Sequence, residues 1–140
     1  MKFFIDENLP HSLVGPLGVL FREHGFHSCH SEGLTGVQDI PLFQVLSAGG
    51  FTAIITKDAR QVRANDAERR ALHDCGVHWI GVRQPSVGGL KLMAAWVAGL
   101  TAAMPHILDR LGQVSTPSWF RVNGIPHEAS QRMTSGPLLG

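Results

Sequence analysis

The sequence predicts an α/β fold: a mostly parallel central sheet of four to five strands, flanked by helices in three layers. Three observations predict it. Short runs such as Lys2–Asp6, Ala53–Thr56 and Val77–Val82 are apolar or β-branched without polar alternation, as in strands covered on both faces. Segments between them carry helical spacing with start and stop residues at their ends. Strand and helix alternate along the chain, which argues parallel pairing through right-handed crossovers.

Lys2–Asp6 (KFFID) is the first strand, ended by the acidic pair Asp6-Glu7. Asn8-Leu9-Pro10 then reads as a helix start, with Asn8 as N-cap and Pro10 in the first turn, where no helical hydrogen bond is lost. Leu13, Val14, Leu17, Leu20 and Phe21 form its stripe, Gly15-Pro16 should kink it, and Gly25 should end it. Phe26–His30 is a weaker second strand. Asp39-Ile40-Pro41 repeats the cap-then-proline pattern and opens a helix that closes at Gly49-Gly50. After the central strand, a helix from Asn65 to Cys75 stops at Gly76, and Val77–Val82 is the fourth strand. Ser86 to Gly112 is helical, with Leu90, Met93, Val97, Leu100, Met104, Leu108 and Leu111 as its stripe and Pro105 as a kink or break. Trp119–Val122 is a candidate edge strand. The expected division is a domain over residues 1–122 and a flexible tail over 123–140, without structure of its own.

The chain's 140 residues suit one domain with a real core. A net charge of +1 creates no overall field for nucleic acid, so any such binding must rest on local clusters. Cys29 and Cys75 lack metal-type spacing and read as reduced thiols, with a disulfide as the alternative. The N-terminus reaches acid and proline too early for a signal peptide, and the low-polarity run Leu92–Met104 is too short for a bilayer of roughly 30 Å. A soluble cytoplasmic protein with no membrane partner is the expectation.

The chemistry sits with the acids. Asp6 ends the first strand and Asp58 follows the central one, so both belong to the carboxyl rim of a parallel sheet, where ligands bind. Asp39 and Glu68 begin helices that return from that rim. Such carboxylates raise one another's pKa, and Mg²⁺ or Mn²⁺ relieves the repulsion. Bound there, the ion would activate water for phosphodiester cleavage. Lys57, Arg60, Arg63, Arg69 and Arg70 surround these acids with positive charge, suited to phosphates. Each acid also has a structural alternative: Asp39 as an N-cap, Glu68 as the capping-box partner of Asn65, Glu7 as a solvated turn residue, and Asp6 or Asp58 as turn caps. The His24, His27, His30 spacing straddles a helix-to-strand change and is a weak zinc motif. No nucleophile elbow or glycine-rich phosphate loop is present.

FFIDENLP, then IITKD-x-R, D-A-E-R-R-A-L and a G-V-x-W-I strand together resemble the PIN-like ribonuclease fold over about residues 2–83. More narrowly, they resemble the compact PIN-like toxins of type II toxin–antitoxin modules. The resemblance implies a PIN-like three-layer fold and cleavage of single-stranded RNA with Mg²⁺ or Mn²⁺. It implies Asp6, Asp39, Asp58 and Glu68 as metal-binding and catalytic acids, with Asn8 beside the site. Many PIN proteins carry Asp where Glu68 stands, and Glu68 resembles the narrower group. On this reading Asn8, Lys57, Arg60 and Arg63 contact the RNA and a cognate antitoxin is the partner. The Met, Trp and Leu content of 86–111 suggests a homodimer or an antitoxin surface using Met93, Trp96 and Leu100. The alternatives are a receiver-like phosphoacceptor domain and an inactive PIN-like binding module. The receiver reading lacks its hydroxyl residue at Gly81-Val82-Arg83 and its lysine at Phe120-Arg121-Val122.

Overall fold

The computed structural model describes residues 1–57 and 65–139. Its sheet has five strands, β1 (Lys2–Ile5), β2 (Gly25–Ser28), β3 (Ala53–Thr56), β4 (His78–Val82) and β5 (Trp119–Val122). All pairings are parallel, in the order β2-β1-β3-β4-β5. The helices are α1 (Val14–Leu20), α2 (Asp39–Ala48), α3 (Asp66–Cys75), α4 (Gly89–Leu111) and α5 (Ala129–Arg132). The architecture is the three-layer α/β arrangement that the sequence predicts.

Strand alternation divides the core into two layers. Phe3 and Ile5 of β1, Ile55 of β3 and Ile80 of β4 pack with Leu13 and Leu17 beside α4. Phe4, Ile54 and Trp79 point the other way, onto Leu42, Phe43 and Leu46 of α2 and Leu72 of α3. The connection after β1 therefore runs over one face, and those after β2 and β3 run over the other. The two directions part between β1 and β3, which opens a crevice at the carboxyl ends of those strands.

The last crossover departs from expectation. β5 extends the sheet in the direction that β4 does, yet α4 lies on the α1 face, opposite α3. Its hand is thus opposite to that of the preceding crossovers, so the right-handed rule does not hold throughout. The physical reason is cover. α1 is short, and without α4 the β3–β4 part of its face would lie open to water.

Several local expectations need correction. The chain after Pro10 makes a 3-10 turn, His11–Leu13, before α1, and no side chain caps either start. Gly15-Pro16 falls in the first turn of α1, where proline is tolerated, rather than at a mid-helix kink. Gly25 does not end a helix. It begins β2, its N–H donating to the Met1 carbonyl at 2.9 Å. α4 continues through Pro105, which withholds an N–H from the Thr101 carbonyl; the buried Leu100, Met104, Ile107 and Leu111 hold the helix on either side. Of its expected stripe, Leu100, Met104 and Leu111 are buried, but Leu90 is 85% exposed, and Trp96 and Ile107 join the buried side instead. Trp96 and Leu100 are therefore taken up by the chain's own sheet rather than offered to a partner. Among the described residues α4, at 23 residues, is long and apolar enough by length and composition to cross a bilayer, contrary to the shorter run read from sequence; here it serves as a core helix. Beyond Asn123, where no structure is expected, Glu128 and Gln131 close a capping box on α5.

Candidate functional site

The crevice between β1 and β3 is built around Asp6. The register places Ile5 opposite Ile55, so the residues after each strand stand side by side. Asp6 donates its N–H to the Ile55 carbonyl at 2.9 Å, continuing the ladder past the strand end. Its side chain is 6% exposed. Thr56 Oγ1 donates to Asp6 Oδ2 at 2.8 Å, and the Glu7 N–H donates to Oδ1 at 2.8 Å. Burial pushes the Asp6 carboxyl above its ordinary value, the two hydrogen bonds oppose that shift, and the charges of Asp39 and Glu7 add to it.

Asn8 is not a helix cap. Its Nδ2 donates to Thr56 Oγ1 at 3.0 Å and its Oδ1 accepts from the Lys57 N–H at 3.3 Å. It thereby fastens the turn after β1 to the end of β3 and orients the hydroxyl that serves Asp6. Glu7 is likewise more than a solvated turn residue. Its Oε2 accepts from the Gly36 N–H at 2.9 Å and ties the loop before α2 to the rim.

Asp39 is the first residue of α2; the N-cap is Gln38, and no side chain caps that start. The capping role proposed for Asp39 is therefore not the one it performs, and its charge instead reaches Asp6. Glu68 is half-buried in the first turn of α3, its N–H donating to Asn65 Oδ1 at 3.2 Å, so the Asn65 cap is present. Lys57 turns toward the end of β4: its Nζ donates to Gln84 Oε1 at 3.0 Å and lies 5.9 Å from the Trp96 ring centroid. Arg69 pairs with Asp66. Asp58, Arg60 and Arg63, named from the sequence as site residues, lie outside the described residues.

A cleft of about 250 Å³ opens beside Asp6, lined also by Glu7, Ser28, Cys29, His30 and Thr35. His11 and His30 stand at its mouth with ring centroids 5.2 Å apart. Sequence reasoning missed His11 altogether, since nothing local marks it. The three histidines of the weak zinc motif go separate ways: His24 meets the N-terminal amine, His27 pairs with Glu32, and His30 meets His11.

The donor chemistry fits a hard divalent cation. Asp6 is a buried carboxylate whose ionisation is opposed by burial and by a second acid, and its surroundings among the described residues supply no cation. A bound divalent ion would offset both penalties. Asp39 and Glu7 are the described acids whose charges bear on Asp6, and no group of three or more His, Cys, Asp or Glu forms a metal set among the described residues.

Compared with known proteins, the chain finds no match among curated proteins or solved structures. A family model described as the PIN-like domain matches residues 1–84. That stretch runs from β1 through β4 and contains Asp6, Asn8, Asp39 and Thr56. With more than half of the 140 residues matched, from the first strand to the fourth, the chain belongs to the PIN-like domain family.

Proposed function

We propose that this protein is a metal-dependent endoribonuclease that cleaves single-stranded RNA, acting as the toxin of a cytoplasmic toxin–antitoxin pair. Asp6 carries the reading: a buried carboxylate with raised pKa, held by Thr56 at a topological switch point and coupled to Asp39. A structural carboxylate in that position would be expected to have a cationic partner. Asp6 and Asp39 would hold Mg²⁺ or Mn²⁺, with Asp58 and Glu68 as the further acids that the sequence adds. The ion supplies positive charge to activate water and to stabilise phosphate oxygens. Thr56 and the Glu7 N–H hold the two carboxylate oxygens of Asp6, and Asn8 acts through the Thr56 hydroxyl. Lys57, Arg60 and Arg63 bind the RNA backbone through phosphate charge. Leu90 and the half-buried Met93 are the α4 side chains left to a second copy or an antitoxin, in place of Trp96 and Leu100.

The test is cleavage of a labelled single-stranded RNA by the purified protein with Mn²⁺, with EDTA, and after Asp6→Asn. Cleavage that needs Mn²⁺ and is lost in Asp6→Asn is expected. Intact RNA in every lane at high enzyme concentration, with binding preserved, would make the protein a binding module instead.

A further inference from the structure

We propose a second RNA-contacting surface at the β5 edge, away from the acidic crevice, in which Trp119 stacks on a base and arginines bind the flanking phosphates. The proposal rests on the reading that the substrate is single-stranded RNA. It starts from the fold. Because α4 crosses on the α1 face, no helix among the described residues covers the opposite face beside β5, and Trp119 is left 64% exposed there. A groove of about 320 Å³ runs between Trp119 and α3, lined by Arg69, Arg70 and His73 together with the apolar Leu72, Val77, Trp79 and Pro117. On the other side of the same tryptophan, a broader groove of about 790 Å³ is walled by His106, Arg110 and Arg121. Trp119 thus stands as a ridge between two grooves, each largely apolar and each bearing arginines.

The charges are available. Arg69 is paired with Asp66, but no carboxylate among the described residues pairs with Arg70, Arg110 or Arg121. On a chain of net charge +1, such a cluster is the local concentration that binding a polyanion requires. An exposed indole between unpaired guanidiniums suits a single strand, whose bases are free to stack and whose phosphates follow at close intervals. An acidic peptide would use the arginines, but only a nucleic acid brings an aromatic plane with every phosphate, so RNA is the occupant favoured. β5 lies three strands from β1, roughly 14 Å across the sheet, and Trp119 is at the end opposite the acidic rim. The surface would therefore grip substrate without entering the reaction.

The experiment uses the whole protein and a fluorescein-labelled oligouridylate in EDTA, titrated at several salt concentrations. Trp119→Ala should weaken binding about tenfold or more, and Trp119→Phe should keep most of the affinity. Arg110→Ala and Arg121→Ala should each lower the slope of log affinity against log salt by about 0.7. Arg110 sits on the exposed side of α4, so that variant tests the surface without disturbing the sheet. Affinity within about twofold of wild type in both Trp119→Ala and Arg110→Ala overturns the proposal. So does polyglutamate that displaces the oligonucleotide as well as unlabelled oligouridylate does, since the patch would then be a protein-docking surface. Binding through Trp119 without Mn²⁺-dependent cleavage refutes the nuclease reading alone, and cleavage with an affinity that ignores Trp119 refutes this inference alone.

Discussion

Replacing Thr56 by valine keeps the β-branched shape in the middle of the sheet and deletes one hydroxyl. That hydroxyl is wholly buried, donates to Asp6 Oδ2 at 2.8 Å and accepts from Asn8 Nδ2 at 3.0 Å. A hydrogen bond to an ionised group contributes about 1.5–3 kcal/mol, and valine offers Asp6 no donor in its place. Asn8 is half-buried and can turn to solvent, so its lost bond adds little. The expected cost at neutral pH is therefore about 1.5–3 kcal/mol, or roughly 6–12 °C in melting temperature for a chain of this size. Thr56→Ser, which keeps the hydroxyl, should cost less.

The pH dependence discriminates this account from a simple packing defect. Burial holds the Asp6 pKa above 3.8 in the folded protein, so its folded form binds the proton more tightly than the unfolded chain. The corresponding stability is complete below the ordinary carboxylate range and is lost as pH rises through the folded pKa. Because the Thr56 bond favours the ionised form, valine raises that pKa further and makes the loss larger. Urea unfolding of wild type and variant at about pH 4 and pH 8 measures it: the gap should be widest at the higher pH, where the bond is charge-assisted. A gap below about 0.5 kcal/mol, or one of equal size at both pH values, would refute the reasoning.

Three further outcomes follow from the same geometry. Mn²⁺ at about a hundred times its dissociation constant should stabilise wild type by about 2.7 kcal/mol, and Asp6→Asn should abolish that gain while flattening the fall of metal-free stability with rising pH; differential scanning calorimetry would read both. Leu100→Ala should cost about 2–5 kcal/mol and Leu90→Ala less than about 0.5 kcal/mol, and the reverse order in urea melts would contradict the observed packing of α4. Gly81→Ala should destabilise by about 1–3 kcal/mol, because a Cβ there would lie 2.1 Å from the Trp79 ring; wild-type stability with altered near-ultraviolet circular dichroism would show instead that the ring moves aside at little cost.

Much of the frame was legible in the chain itself. Ala53–Thr56 and Trp119–Val122 occur at the bounds the sequence predicts, and α3 starts after Asn65 and ends at Gly76, in the left-handed conformation with φ 72°. These features depend on a few adjacent residues: an uninterrupted apolar run, a side chain that caps its own turn, a glycine that accepts positive φ. Asp6 was legible as a rim acid because a buried strand ends directly before it. Its partners were not. Asn8 reads locally as a cap, yet it bonds Thr56 and Lys57 because parallel pairing of β1 with β3 brings those residues within reach. Glu7 reaches Gly36 across the β2 connection, and Asp39 couples to Asp6 only because α2 returns over the sheet. The exposure of Leu90, the burial of Trp96 and Ile107 and the hand of the last crossover also belong to the tertiary structure. A helix with apolar residues on more than one side does not specify which side packs; the uncovered face of the sheet decides, by the apolar area it removes from water.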